Sequence, residues 1–210
     1  TAFTVNDKLY SAVSDLCVTS MQLTYAYLFN QQLVQDLGTE NLYDVVEEGR
    51  WTLDYLYDLT KDMYTDVNGN GTADGEDVYG FITDMDTSLD CYYPTCDQQL
   101  LKKTADGFEI MLNTERAIGI YEKVEKVIKN PIGTYRIYHN KDGQLYDDKY
   151  TMFMNNKALV MPVRLVALFN ELREMEVDYG IIPFPKYDEK QTKYLSSCLD
   201  NYSVLCVPTN

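Results

Sequence analysis

Several chemistries lack their raw material in this chain. It has a single histidine, His139, placed beside a predicted turn and tied by no pattern to a serine or cysteine. A nucleophile–base triad therefore has no basis here. P-loop, GxGxxG and HExxH patterns do not occur, which removes the usual phosphate cradles and the helix-borne zinc site. The carboxylates are too many and too scattered to single out a glycosidase pair. Basic side chains are scarce, 18 against 33 acidic ones, for a net charge of -15. Such a surface repels phosphate backbones, and no basic stripe overrides it, so nucleic acid is excluded as a partner. No apolar run approaches the ~18–20 residues that cross a bilayer, so the chain holds no transmembrane segment. The expectation is a protein that binds and is not an enzyme.

Leader and cysteine signals are thin as well. The chain opens on Thr1-Ala2-Phe3-Thr4-Val5, which reads like a strand inside a domain, so a fragment or a mature form without its leader is expected. The cysteines are Cys17, Cys91, Cys96, Cys198 and Cys206, without a CxxC pair or zinc-like spacing. Cys91 and Cys96 are spaced so that a small disulfide could close between them; the other reading is free, mostly buried thiols.

What is present is enough apolar material for a real core, with 45% of residues hydrophobic and 24% charged. Strands are predicted over 3–5, 9–13 and 23–29, with a short helix over 31–37 stopped by Gly38. A second helix starts after Thr52, a suitable N-cap, with Asp54 in its first turn. Further strands are read over 78–83, 108–112, 158–161, 179–182 and 202–207. Thr114 caps a long helix to Ile128, with Ala117, Ile118, Tyr121, Val124 and Ile128 as its inner face and Asn130-Pro131 as its stop. Asp142-Gly143 suggests a hairpin turn, and Leu165, Leu168, Phe169, Leu172 and Met175 recur at helical spacing. Strands alternating with helices predict an α/β layer fold.

The strongest local motif runs from Asp66 to Asp77. Oxygen-bearing side chains fall at Asp66, Asn68, Asn70 and Asp74, Gly71 supplies the sharp turn, Thr72 offers its carbonyl and Asp77 closes the twelve-residue loop. Alternate positions of so tight a loop point inward and can surround a hard cation, which predicts Ca2+. A hydrophilic turn would account for the asparagines and glycines but not for acids at the first, ninth and twelfth positions together. Asp77 is shorter than the usual closing glutamate, and a strand follows where a sensor pair would have a helix. A structural staple is therefore expected, not a switch.

Aromatics are abundant, with nineteen tyrosines, seven phenylalanines and one tryptophan. Many fill helix faces, and Trp51 is assigned to helix packing. Tyr92-Tyr93-Pro94 falls in a helix-free stretch, where flat rings bearing hydroxyls suit sugars or peptides.

Several segments together resemble the extracellular solute-binding proteins of ABC importers, in the cluster related to maltose-binding protein. Tyr27 to Gly38 is similar to that family's strand ending in asparagine followed by a helix ending in glycine. Gly49-Arg-Trp51-Thr-Leu-Asp54 resembles its next helix start. Tyr79-Gly-Phe81, Asn156-Lys-Ala-Leu159 and Met175 to Lys186 resemble further blocks in the same order. The resemblance implies a type 2 periplasmic-binding-protein-like fold, a mixed sheet flanked by helices in a partial two-lobe architecture. Residues 1–30 would supply strands of lobe one and the hinge, 31–200 mainly the second lobe, and 201–210 a hinge strand returning towards lobe one. It further implies an extracellular protein anchored as a lipoprotein in its full-length form, which binds an oligosaccharide or other small solute and passes it to an ABC permease. By resemblance Asp15, Tyr92, Tyr93 and Arg164 fall near the ligand, and the forked donors of Arg164 would favour an anionic or heavily hydroxylated group. The competing reading is a calcium-dependent adhesion or glycan-binding module of a cell surface.

Overall fold

The computed structural model describes residues 4–5, 8–13, 17–84, 90–137 and 147–206. In chain order these form β1 (Thr4–Val5), β2 (Lys8–Leu9), α1 (Val18–Gln22), β3 (Tyr25–Asn30), α2 (Gln31–Asp36), α3 (Leu42–Glu47), α4 (Leu53–Thr60), β4 (Tyr64–Thr65) and β5 (Val78–Asp84). There follow α5 (Tyr92–Thr95), β6 (Leu101–Thr104), β7 (Gly107–Ile110), α6 (Glu115–Ile128), β8 (Thr134–Ile137), α7 (Lys149–Met154), β9 (Ala158–Arg164), a 3-10 turn over Leu165–Leu168, and β10 (Tyr179–Ile182).

One six-stranded mixed sheet organises these elements, in the order β10-β3-β9-β5-β4, with β8 also pairing with β5. β5 is parallel to β8 and β9, whereas β3 runs antiparallel to both β9 and β10. Central β3 and β9 are buried along nearly their whole length, as strands covered on both faces must be. One face carries Trp51, Leu53, Leu56, Ile120, Val124 and Val127 from the α4–α6 side. The other packs Met152 and Phe153 of α7 with Ala167 and Leu172. The expected mixed sheet flanked by helices is present. The expected segment boundary at residue 30 falls at the end of β3, which lies in the middle of this sheet between β9 and β10.

Helix starts follow local chemistry. Asn30 accepts from the Leu33 amide at 2.9 Å, Thr52 from Tyr55 at 3.1 Å and Thr114 from Ala117 at 3.1 Å. Each cap satisfies an amide that the first helical turn leaves orphaned. The end of α4 presses so closely on the sheet that a Cβ on Gly80 would sit 2.8 Å from the Thr60 backbone, and one on Gly133 1.9 Å from the Thr60 carbonyl oxygen. Only glycine fits at either point.

The structure also corrects several expectations. Ile118 and Tyr121 are exposed, and α6 buries Ala117, Ile120, Val124, Val127 and Ile128 instead. The helix is rotated so that its seam meets α4 and α5. The expected 165–175 helix is a single 3-10 turn, with Phe169 exposed and Leu172 buried. β-branched Val166 and turn-forming Asn170 weaken a longer helix. The strands expected over 9–13 and 202–207 reduce, among the described residues, to the β1–β2 pair and an Ala12–Leu205 bridge. The 108–112 strand is β7, paired only with β6 in a separate exposed hairpin. Tyr92–Thr95 is one helical turn, so that stretch is not helix-free. Helices α1, α3 and α7 were not expected. The Asp142-Gly143 turn and His139 lie outside the described residues.

The rotation of α6 separates two neighbouring isoleucines. Ile120→Ala should cost roughly 2–5 kcal/mol in urea unfolding, whereas Ile118→Ala should stay within about 0.5 kcal/mol of the parent. Equal losses at both positions would contradict the observed face.

Candidate functional site

Because β5, β8 and β9 run parallel, their carboxyl ends lie on one edge of the sheet, where open α/β sheets place ligands. Asp84 ends β5, Ile137 ends β8 and Arg164 ends β9. β3 runs the other way, so its first residue, Tyr25, stands directly opposite Arg164 in the ladder. Lys149, in the first turn of α7, reaches this edge and pairs with Asp84 at 2.8 Å, both side chains being largely buried. The Tyr25 side chain is buried, and its hydroxyl has no hydrogen-bond partner among the described residues. Burial, with Cys91 and Asp90 adding to it, pushes the Tyr25 phenol up to about 12, while Arg164 pulls it down. Arg164 is half-buried and makes no ion pair or hydrogen bond among the described residues.

The aromatic pair lies beside this edge. Tyr92 and Tyr93 line a cavity of about 450 Å³ with Ile120, Tyr121, Val124 and Arg136. Tyr93 is half-buried there. Tyr92 is core: its hydroxyl hydrogen-bonds to that of Tyr27, and its ring meets Phe184 edge-on at 5.2 Å. Burial drives the Tyr92 phenol far above its ordinary range. Trp51 is fully buried, and its indole N–H donates to the Pro183 carbonyl at 2.8 Å, as helix packing requires. Thus Tyr92 and Tyr93 share one cavity and Arg164 stands at the neighbouring strand ends, whereas Asp15 lies outside the described residues. Cys91 and Cys96 are buried and form no disulfide with each other, and burial raises Cys96 to about 12.

The 66–77 loop joins β4 to β5 and is held by its own side chains. Asp66 accepts from the Gly69 and Gly71 amides at 2.7 and 2.9 Å. Gly69 and Gly71 both take positive φ, a region glycine enters without penalty. The Asn70 side-chain amide donates to Asp74 at 2.8 Å, and that of Asn68 approaches it at 3.5 Å. Together with Glu76 N–H, these donors lower the Asp74 pKa, Asn70 contributing most. Asp77 is fully buried; it accepts from Val67 N–H, Asp74 N–H and the Tyr64 hydroxyl. Asn68 and Asn70 thus turn their side-chain amides to Asp74, while Asp66 is taken up by the Gly69 and Gly71 amides. Asp77 serves as a clasp whose oxygens already meet protein donors. Among the described residues, no group of three or more His, Cys, Asp or Glu side chains is gathered closely enough to hold a metal ion. The side-chain oxygens of Asn68 and Asn70 accept from the Asn70 and Thr72 amides.

Sequence reading passed over Tyr25, Asp84 and Lys149. Their signal was positional: each lies at or against a strand end whose neighbours are fixed only by long-range pairing.

No protein-family model matches the sequence, and no curated protein matches it. Solved structures do. The maltose/maltodextrin-binding domain MalE of Bdellovibrio bacteriovorus, bound to maltotriose, is 19% identical, with a TM-score of 0.57 over 93% of this chain and 44% of its own. A family 1 extracellular solute-binding protein of Bifidobacterium longum subsp. infantis is 15% identical, with a TM-score of 0.54 over 99% and 49%. The ABC substrate-binding protein Lmo0181 of Listeria monocytogenes, in complex with cycloalternan, is 16% identical, with a TM-score of 0.54 over 86% and 40%. The chain has the type 2 periplasmic-binding-protein-like fold that these share, and it spans less than half the length of each. No described helix is long and apolar enough to cross a membrane.

The buried ion pair at the strand ends gives a direct test. Lys149→Met removes the ammonium paired with the largely buried Asp84 carboxylate and should cost about 3–5 kcal/mol in urea unfolding. Adding Asp84→Asn should restore part of that loss, and a double variant as weak as the sum of both singles would remove the pairing from the account.

Proposed function

We propose that the protein to which this chain belongs is an extracellular, lipid-anchored solute-binding protein that captures a carbohydrate and delivers it to an ABC importer. The observation that supports this most is the edge where β5, β8 and β9 end. It carries a guanidinium, a buried unpartnered phenol and an aromatic cavity, in a fold whose solved relatives include proteins bound to maltotriose and cycloalternan. In this reading Tyr93 offers a sugar ring a face for stacking, while Arg164 and Tyr25 donate to its oxygens. Asp15 and Tyr92 complete the proposed ligand set, Tyr92 chiefly by holding the cavity wall. Closing over the solute would need the remainder of a two-lobed protein, and binding alone is asked of these residues. Nothing in the reading requires catalysis.

The same proposal gives the 66–77 loop a structural Ca2+, held by Asp66, Asn68, Asn70, Asp74 and the Thr72 carbonyl, with Asp77 behind them. The ion would supply positive charge to a loop that now satisfies its acids with amides, and would fix the joint between β4 and β5.

Two measurements test these points. Thermal-shift screening of the full-length protein against maltooligosaccharides, other neutral oligosaccharides, acidic sugars and short peptides should raise the melting temperature with sugars. A shift with peptides alone would overturn the carbohydrate assignment. For the loop, EGTA added to a sample first shown to contain calcium should lower the melting temperature, since at ~100 times Kd the ion adds about 2.7 kcal/mol. Asp66→Asn with Asp74→Asn should abolish the response. Tb3+ luminescence excited through Tyr64 and Tyr79 would report the same site, and a melting temperature indifferent to EGTA would sink it.

A further inference from the structure

We infer that the solute carries an anionic group, a carboxylate or a phosphate, received at the strand-end edge by Arg164 together with the Tyr25 hydroxyl. This rests on the solute-binding reading and sharpens it to an acidic sugar. Tyr25 and Arg164 are opposite partners in the β3–β9 ladder, so their side chains leave the same face roughly 4.5–5.5 Å apart at Cβ. A guanidinium fork and a phenolic donor thus start from neighbouring positions on one face, an arrangement suited to two oxygens of one anion.

Two further observations support an anion over a neutral hydroxyl. First, Tyr25 is only 5% exposed and its hydroxyl lacks a partner among the described residues. An unmet buried donor is destabilising, and a ligand oxygen would remove that cost. Second, the Arg164 side chain makes no ion pair among the described residues. Asp84 is bound to Lys149 at 2.8 Å in largely buried surroundings, and the pair cancels its own charge. Burial and the nearby acids keep the proton on Tyr25, so it remains a donor at any ordinary pH.

The test compares ligands of one skeleton that differ only in charge. Titration calorimetry on the full-length protein would pair digalacturonate with its methyl ester, and glucose 1-phosphate with methyl glucoside. The acid of at least one pair should bind tenfold or more tightly than its neutral partner, with affinity falling as salt is raised. Which pair responds decides between carboxylate and phosphate. Arg164→Gln should erase the preference, and Tyr25→Phe should weaken the acid by roughly three- to tenfold, each variant first shown to melt like the parent. Neutral partners binding as well as the acids, or a preference that survives Arg164→Gln, would overturn the anion assignment and leave sugar binding standing. Binding of none of these probes nor of neutral oligosaccharides would overturn the solute-binding reading with it.

Discussion

Everything in this structure leans on the burial of Tyr27. Its ring lies edge-on to Phe184 at 4.8 Å and to Trp51 at 5.7 Å, and stacks with Phe81 at 6.0 Å. Its hydroxyl meets that of Tyr92. One side chain in the middle of β3 thereby ties together the approach to α4, strand β5, the segment after β10 and the single turn of α5. A phenol placed so deep is tolerable only with a polar partner, and Tyr92 is that partner. The position of α5, and with it of Tyr93 and the adjoining cavity, follows from the need to satisfy one buried hydroxyl.

That constraint also explains why the candidate site sits where it does. β3 runs antiparallel to β9, with Tyr27 on the α4–α6 face, and that direction brings Tyr25, on the same face, to the edge where the parallel strands finish. The chemistry of the edge is then a matter of charge. Asp84 and Lys149 neutralise each other at the end of β5, while Arg164 at the end of β9 keeps its charge. The buried pair therefore sets the electrostatic character of the surface beside it.

What could be read from the sequence was what depends on near neighbours. Asn30, Thr52 and Thr114 announced their helices because a cap acts three residues away. The alternation of strands with helices gave the layer class, and Tyr27 to Lys186 carried the family resemblance. The face of α6 was misread because Ile118, Ile120 and Tyr121 are all apolar enough for either side; contact with α4 and the sheet decides, and no local signal reports it. The helix expected after Arg164 failed for a related reason, since apolar spacing alone does not outweigh Val166 and Asn170. At the site, Tyr93 and Arg164 drew notice by type and by resemblance. Tyr25, Asp84 and Lys149 did not, because an end of a strand becomes a site only when other strands finish beside it.

The 66–77 loop shows how a protein clasp and a proposed ion can divide one task. Asp77 binds Val67 N–H, Asp74 N–H and the Tyr64 hydroxyl, which fastens both ends of the loop to β4 and the start of β5 by hydrogen bonds alone. Tyr79 donates to the Asp74 carbonyl at 2.9 Å, and Lys157 to that of Glu76, so the loop is also tied to the body of the sheet. These contacts set the path of the backbone, while Asp66 and Asp74 are each held by amide donors. Amide donors orient a carboxylate without cancelling its charge, and in a chain of net charge -15 that remaining charge is the part the proposed cation would neutralise. On this division the clasp accounts for the fold of the loop and the ion for its stiffness, so losing the metal should soften the β4–β5 joint while leaving the sheet, and the edge at its far end, in place.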